Sequence, residues 1–217
     1  LVNNAGVGGG GTVLETPISD QTFVYDVNVE GVYRVSKAFG PMIVDTKGRI
    51  ITTGSIAGTG SAIPGFSAYS GSKHWMEAFT DSFATEMEPL GVHVAVVEPG
   101  NYKSRIRRSS VERRMEKVKE AAGEVPEEMK QQYEATAERE VSYKEPDEVT
   151  QAFMHALFDD EPLRRYMVVP NEDEQAWTIG TQISELVQLN QWGPYSYSRD
   201  ELVKMLDEAL AGEASAE

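Results

Sequence analysis

Tyr69 and Lys73 stand four residues apart in Ala68-Tyr69-Ser70-Gly71-Ser72-Lys73, and Ser55 precedes them in Thr53-Gly54-Ser55-Ile56-Ala57-Gly58. On a helix, positions i and i+4 share a face, so a phenol and an ammonium at this spacing can point into one site. The chemistry on offer is proton transfer. An unperturbed tyrosine titrates near pH ~10 and shuttles protons poorly at neutrality. A lysine cation about 6 Å away, at an effective dielectric of ~20, favours the phenolate by roughly 3 kcal/mol, about 2 pKa units. A second positive charge, such as an oxidised nicotinamide ring, would add to this. The pair alone also fits two solvated surface side chains, so its surroundings decide.

Four further signals surround it. Leu1-Val2-Asn3-Asn4-Ala5-Gly6 is a short apolar strand end running into a turn, and Asn28 follows Asn4 by 24 residues inside a helical pattern. Ser55 comes 27 residues after Asn28 and ends the apolar run Arg49–Thr53. Pro99-Gly100 follows Lys73 by 26 residues and ends the valine-rich run Val92–Val97. Each signal stands at a strand end or on the adjoining helix. In an open parallel sheet, ligands bind outside the carboxyl ends of the strands, so all of them belong to one rim.

This constellation resembles the short-chain dehydrogenase/reductase family, over residues 1–105 and more loosely beyond. The resemblance implies an α/β fold, a Rossmann-type doubly wound parallel sheet, with NAD or NADP as cofactor. It implies hydride transfer between the nicotinamide and an alcohol or ketone. Tyr69 would be the general acid/base, Ser55 would hold the substrate oxygen, Lys73 would lower the tyrosine pKa and bind the nicotinamide ribose, and Asn28 would hold a relay water. Asn3, Ala5 and Gly6 would lie against the adenosine side of the cofactor, and Pro99, Gly100, Tyr102 and Ser104 would approach its nicotinamide end. Tyr69 and Lys73 would also contact the cofactor. The family's glycine-rich phosphate turn does not occur, and Leu1 falls where the fourth family strand would begin. The chain therefore reads as a C-terminal fragment lacking the first three strands. Gly8–Gly11 reads as a flexible loop because no helix follows it at once. The spacing of 14 residues from Ser55 to Tyr69 is one longer than the family's commonest, which predicts a bulged loop over 59–66.

At 217 residues a single domain, 1–217, is the natural expectation, with a substrate-lid insert at about 101–145. Lys73–Ser82, Glu98–Ser104 and Val125–Tyr133 resemble the retinol and hydroxysteroid dehydrogenase branch, which implies a large apolar substrate. No window approaches ~18 consecutive apolar residues, so no membrane span is expected. The lack of cysteine suits a reducing compartment, and a cytoplasmic location is the expectation. A net charge of −15 argues against nucleic acid as a partner. The basic stretch 103–119 reads as a solvated helix paired with Glu120, Glu124, Glu127 and Glu128, or as an attractor for an anionic substrate tail. His74, His93 and His155 lack metal-ligand spacing, so no metal is expected.

The elements that must position the site read as follows. Ser19 caps a helix starting near Asp20, which continues, kinked at Asn28, to Lys47-Gly48. A second helix spans Ser67–Leu90 with the stripe Met76, Phe79, Phe83, Met87. The resemblance implies that these two helices pair subunits into a homodimer or homotetramer. Pro146-Asp147 opens a further helix, Arg165–Pro170 is the last strand, and helices follow at about Glu174–Leu189 and Arg199–Ala211. Two other functions stay open: a nucleotide-sugar epimerase or dehydratase, which also uses Tyr-x-x-x-Lys, and a non-catalytic nucleotide-binding relative.

Overall fold

A computed structural model describes residues 1–60 and 63–212. Four parallel strands form one sheet in the order β1 (Val2–Asn3), β2 (Arg49–Thr53), β3 (His93–Pro99), β4 (Arg165–Val168). The register sets Val2 against Ile51, Ile51 against Ala95, and Val97 against Tyr166. Strand alternation then sorts the core. Ile50, Val92 and Val94 pack against Ala84 and Met87 on one face, while Ile51, Ala95 and Val97 pack against Ala156 and Tyr166 on the other. Helices therefore cover both faces of a parallel α/β sheet, which is why its strands read as continuous apolar runs.

The covering helices are α2 (Gly31–Thr46) and α3 (Ser67–Met87) on the first face and α6 (Asp147–Phe158) on the second. Before α2 comes α1 (Ile18–Tyr25), whose N-cap is Pro17, not Ser19; no side chain caps it. The kink expected at Asn28 is a π-helical turn over Asp26–Glu30. The insert forms two helices, α4 (Ile106–Ala122) and α5 (Glu127–Ser142). The buried Glu140 carboxylate accepts from the Arg108 backbone N–H at 3.1 Å and pairs with its guanidinium at 3.2 Å, tying α5 to α4. The basic stretch thus pairs across space with Glu140, Glu145 and Asp20. Lys130–Glu127 is a pair within α5, so the expected neutralisation by the following glutamates is not what holds it.

By compactness the chain divides into two units, Leu1–Thr178 and Ile179–Glu217, the boundary falling inside α7 (Glu172–Leu189). The second unit contains α8 (Arg199–Leu210), which starts with a capping box between Ser198 and Glu201. Just before it, Asn190 and the Tyr197 backbone exchange two 2.8 Å hydrogen bonds that close the turn. Among the described residues, no helix is long and apolar enough to cross a membrane.

Candidate active site

Because all four strands run parallel, the turns after Asn3, Thr53 and Pro99 leave the same edge of the sheet. Ser55 begins a 3₁₀ turn (Ile56–Gly58), where its hydroxyl accepts from the Ala57 N–H at 3.1 Å. The predicted bulge over 59–66 falls partly on residues 61–62, outside the described residues. Beyond that loop α3 begins, and its first turns carry Tyr69 and Lys73 back to Ser55.

Asn28 is fully buried, and its amide closes three contacts. Its Oδ1 accepts from the Val7 N–H at 2.8 Å, while Nδ2 donates to the Val7 carbonyl and the Ser72 hydroxyl, both at 3.0 Å. The π turn supplies the extra residue that swings this side chain into the rim. Lys73 is 4% exposed. Its Nζ donates to the Thr53 carbonyl at 2.7 Å, approaches the Met76 sulfur at 3.4 Å, and lies 5.7 Å from the Tyr69 ring centre. A Cβ added to Gly6 would stand 3.5 Å from Asn28 Oδ1 and 4.0 Å from Lys73 Nζ. Gly6, Asn28, Tyr69, Lys73 and Ser55 therefore converge.

The electrostatics differ from the expectation that the lysine acidifies the phenol. Burial of the phenol end pushes the Tyr69 pKa up; a hydrogen bond from Ser55 and the charge of Arg107 oppose it. Burial also lowers Lys73 to about 8, partly offset by the Glu77 carboxylate. Desolvation dominates both groups in this chain.

The remaining predicted residues divide. Asn3 is buried, and its Nδ2 donates to Ser36 Oγ at 2.9 Å and Thr52 Oγ1 at 3.5 Å, so its side chain joins α2 to the sheet instead of facing the rim. Ala5 and Gly6 occupy the turn beside it. Pro99 ends β3, and Gly100 hydrogen-bonds to the Val168 carbonyl at 2.7 Å. Tyr102 is turned away from the rim: its hydroxyl donates to Glu148 at 2.6 Å, and burial with that carboxylate pushes its pKa far up. Ser104 lies just before the lid helix α4, its hydroxyl accepting from the Ile106 N–H at 3.3 Å. His93 and His155 bond to the Leu163 carbonyl and the Tyr166 hydroxyl. Trp177 lies beside Gly60, and Trp192 is almost fully exposed.

Sequence reasoning missed Arg107, Glu174, Glu98 and Glu77. Glu174 accepts from the backbone N–H and side-chain amide of Asn101, each at 2.9 Å, and Asn101 in turn accepts from Arg107 at 2.6 Å. Arg107 then lies 5.8 Å over the Phe66 ring, at the mouth of the α3 start. No local pattern announces a relay spanning 73 residues.

Beside the site, a cavity of about 680 Å³ runs between Gly8–Gly11, α1 and α4, and Ser67 and Ala68 form part of its wall. Phe23 and Val24 give it an apolar side, while Arg113, Lys117 and Asp20 give it a charged one. Arg113 donates to the Gly8 carbonyl at 2.6 Å and stacks 5.4 Å over Phe23, so α4 is fastened across the glycine loop.

Comparisons with known proteins agree with this arrangement. The short chain dehydrogenase family model matches residues 1–115. The chain is 36% identical over 176 residues to "D-beta-hydroxybutyrate dehydrogenase, mitochondrial" of Rattus norvegicus, covering 76% of this chain and 51% of that protein. It is 41% identical over 112 residues to "Dehydrogenase/reductase SDR family member 7B" of Xenopus tropicalis, covering 51% of this chain and 36% of that protein. The chain thus spans about half the length, or less, of these curated relatives. Two solved structures share the fold. A short-chain dehydrogenase from Streptomyces avermitilis has a TM-score of 0.66 at 23% identity, covering 88% of this chain and 68% of that one. A short chain dehydrogenase/reductase from Burkholderia phymatum in complex with NAD has a TM-score of 0.66 at 24% identity, covering 91% and 69%. With more than half of its length matched by the family model, the chain belongs to the short-chain dehydrogenase family.

Proposed function

We propose that this chain carries the catalytic part of an NAD(P)-dependent oxidoreductase that interconverts an alcohol and a ketone, with Tyr69 as the general acid/base. The observation that carries this reading is the convergence of Ser55, Tyr69 and Lys73 with Asn28 at one sheet edge. The donor set fits the nicotinamide–ribose end of a nicotinamide dinucleotide. Among the described residues, a buried ammonium with three N–H donors makes one strong hydrogen bond, to Thr53, and a Cβ at Gly6 would stand 4.0 Å from that ammonium. Lys73 would hold the ribose, and Ala5, Gly6 and Gly100 would border the cofactor. Hydride exchange with the carbinol carbon is the chemistry a bound nicotinamide supplies. Tyr69 gives or takes the hydroxyl proton, and Ser55 donates to the substrate oxygen and keeps it at the phenol. The Ser55 hydrogen bond and the Arg107 charge lower the phenol's pKa against the burial that raises it, which remains the larger effect.

The substrate is an apolar alcohol or ketone of some size. Support comes from the cavity beside the start of α3, its Phe23–Val24 side, and α4, which borders it as a lid. Rings of Tyr33, Trp75, Phe79 and Phe83 cluster along α2 and α3, and Phe39 and Met42 are exposed on the same helices. That surface supports a homo-oligomer built on these two helices. The test of the reaction is Tyr69→Phe in the intact enzyme, which removes the proton and keeps the ring. Turnover should fall by at least ~10²–10⁴ with cofactor still bound. A variant within threefold of the parent would sink the assignment.

A further inference from the structure

Two carboxyl groups beneath the site have no part in the proposed reaction. Glu98 ends the valine run of β3 and is 2% exposed, and Glu77 lies one turn after Lys73 on α3 with its side chain 12% exposed. They meet at Gly54, the residue before Ser55. A Cβ added there would stand 3.2 Å from Glu77 Oε1 and 3.3 Å from Glu98 Cγ. Among the described residues, no hydrogen-bond donor reaches the buried Oε1 of either. Two facing acceptors without donors are costly, and two like charges in one dry site are more so. A single proton between them relieves both.

The groups facing the pair come from three elements. From β4, Arg165 Nε lies 2.9 Å from Glu77 Oε2 and 3.5 Å from Glu98 Oε1. Its Nη2 lies 2.9 Å from Asp81 on α3. From the loop after Ser55, the Thr59 hydroxyl donates to Glu98 Oε2 at 3.1 Å. From α3 itself comes the Lys73 ammonium, on which the Glu77 charge acts. Two cations thus face three carboxylates, Glu77, Asp81 and Glu98, and one retained proton balances the cluster.

We propose that Glu77 and Glu98 share one proton and act as a positioning pair for Lys73: the Glu98 carboxyl donates to Glu77, leaving one anion on α3 that holds Lys73 as an ammonium beside Tyr69. The catalytic consequence rests on the oxidoreductase reading above. Burial and the Glu77 charge hold Glu98 well above the usual carboxylate range, in the direction the geometry requires. A carboxyl group with a raised folded pKa gives stability that is complete below its unfolded pKa and lost as pH rises through the folded one. Alkaline conditions should therefore loosen β3 from α3 next to Ser55.

The experiment is a pH titration of the full chain by NMR, with ¹³C on the glutamate carboxyl carbons and ¹⁵N on lysine Nζ. One glutamate should titrate far above the others, and Glu98→Gln, which keeps a donor toward Glu77, should abolish that signal while leaving Lys73 in place. Glu77→Gln should lower the proton affinity of Lys73 by roughly tenfold. A purely structural role would move neither. If every glutamate titrates in the ordinary range, or if Glu77→Gln leaves Lys73 unchanged, the pair is overturned; the parent titration alone decides the first point even if a variant fails to fold. These signals need no turnover. Both shifts in a protein that lacks oxidoreductase activity would keep the shared proton and sink the reaction, whereas turnover with neither shift would do the reverse.

Discussion

Lys73 shows how far one residue's site role conflicts with its folding role. Burial lowers its pKa from 10.5 to about 8, equivalent to roughly 3 kcal/mol of disfavoured charge. Its hydrogen bond to the Thr53 carbonyl returns only about 1–3 kcal/mol. The desolvation cost is the larger, so Lys73→Met should raise the thermal midpoint at neutral pH while slowing turnover. The sign with pH is fixed. A lysine with a depressed folded pKa binds fewer protons folded than unfolded between about 8 and 10.5, so the parent gains stability as pH rises through that window. The difference between parent and variant should shrink across it, which paired thermal melts would show; a variant less stable than the parent at pH 7 would mean that the Thr53 bond dominates. At this scale the nearness of four side chains is legible where spacing alone decides. Tyr69, Lys73, Ser55 and Asn28 are brought together by helix period and strand-end position. Side-chain direction is not legible in that way. Tyr102 follows the Pro99-Gly100 turn as expected, yet its phenol points to Glu148, and nothing in a turn motif encodes that. Glu98 stands near the end of β3 and its partner Glu77 on a helix before that strand, so only tertiary contact reveals them.

Elements carry the next level of precision, and one close backbone contact lies between the Ser55 turn and α3. A Cβ at Gly58 would fall 2.8 Å from the Lys73 carbonyl oxygen and 2.9 Å from its carbonyl carbon. Both are helix backbone atoms and cannot rotate away. Gly58→Ala should therefore push α3 off the Ser55 turn, at an overpacking cost of about 1–3 kcal/mol. The measurement is the urea midpoint together with turnover. Activity should fall more than stability predicts, because the shift separates Ser55 from Tyr69. An Ala variant with parental activity would show that the two elements tolerate the displacement. Most elements were legible from periodicity: β2 and β3, α3, α6 and both helices after β4 stand within a few residues of their expected bounds. The exceptions have physical causes. Ser19 looked like a cap, but Pro17 takes that place because its fixed φ and missing N–H suit a helix start. The stripe on α3 also splits. Met76 and Met87 are buried, while Phe79 stacks on Trp75 at 4.8 Å on the outer side. A three- and four-residue recurrence cannot tell one broad face from two adjoining ones.

The whole molecule determines whether the site can hold a dinucleotide unaided. In doubly wound folds the pyrophosphate rests on backbone amides where a glycine turn runs straight from a strand into a helix. Among the described residues the only glycine run beside the rim is Gly8–Gly11, and α1 begins only at Ile18. The Gly11 N–H is already spent on the Gly65 carbonyl at 2.8 Å, and the Gly8 carbonyl takes the Arg113 guanidinium. The first turn of α1 carries Asp20, which opposes an anion there. The glycine loop is thus engaged with the lid and the cavity. Lys73, Gly6 and the Gly100 turn could hold the ribose and the nicotinamide end, but the described residues offer no comparable seat for the phosphates. Residues 1–217 expressed as such should therefore bind NADH and NADPH far more weakly than a family member that carries such a glycine turn, with no saturation at micromolar concentration in a calorimetric titration. Saturable micromolar binding that is lost when Gly9 and Gly10 are replaced by alanine would show the reverse: the loop would release Arg113 and Gly65 to cradle phosphate, and α4 would move with it.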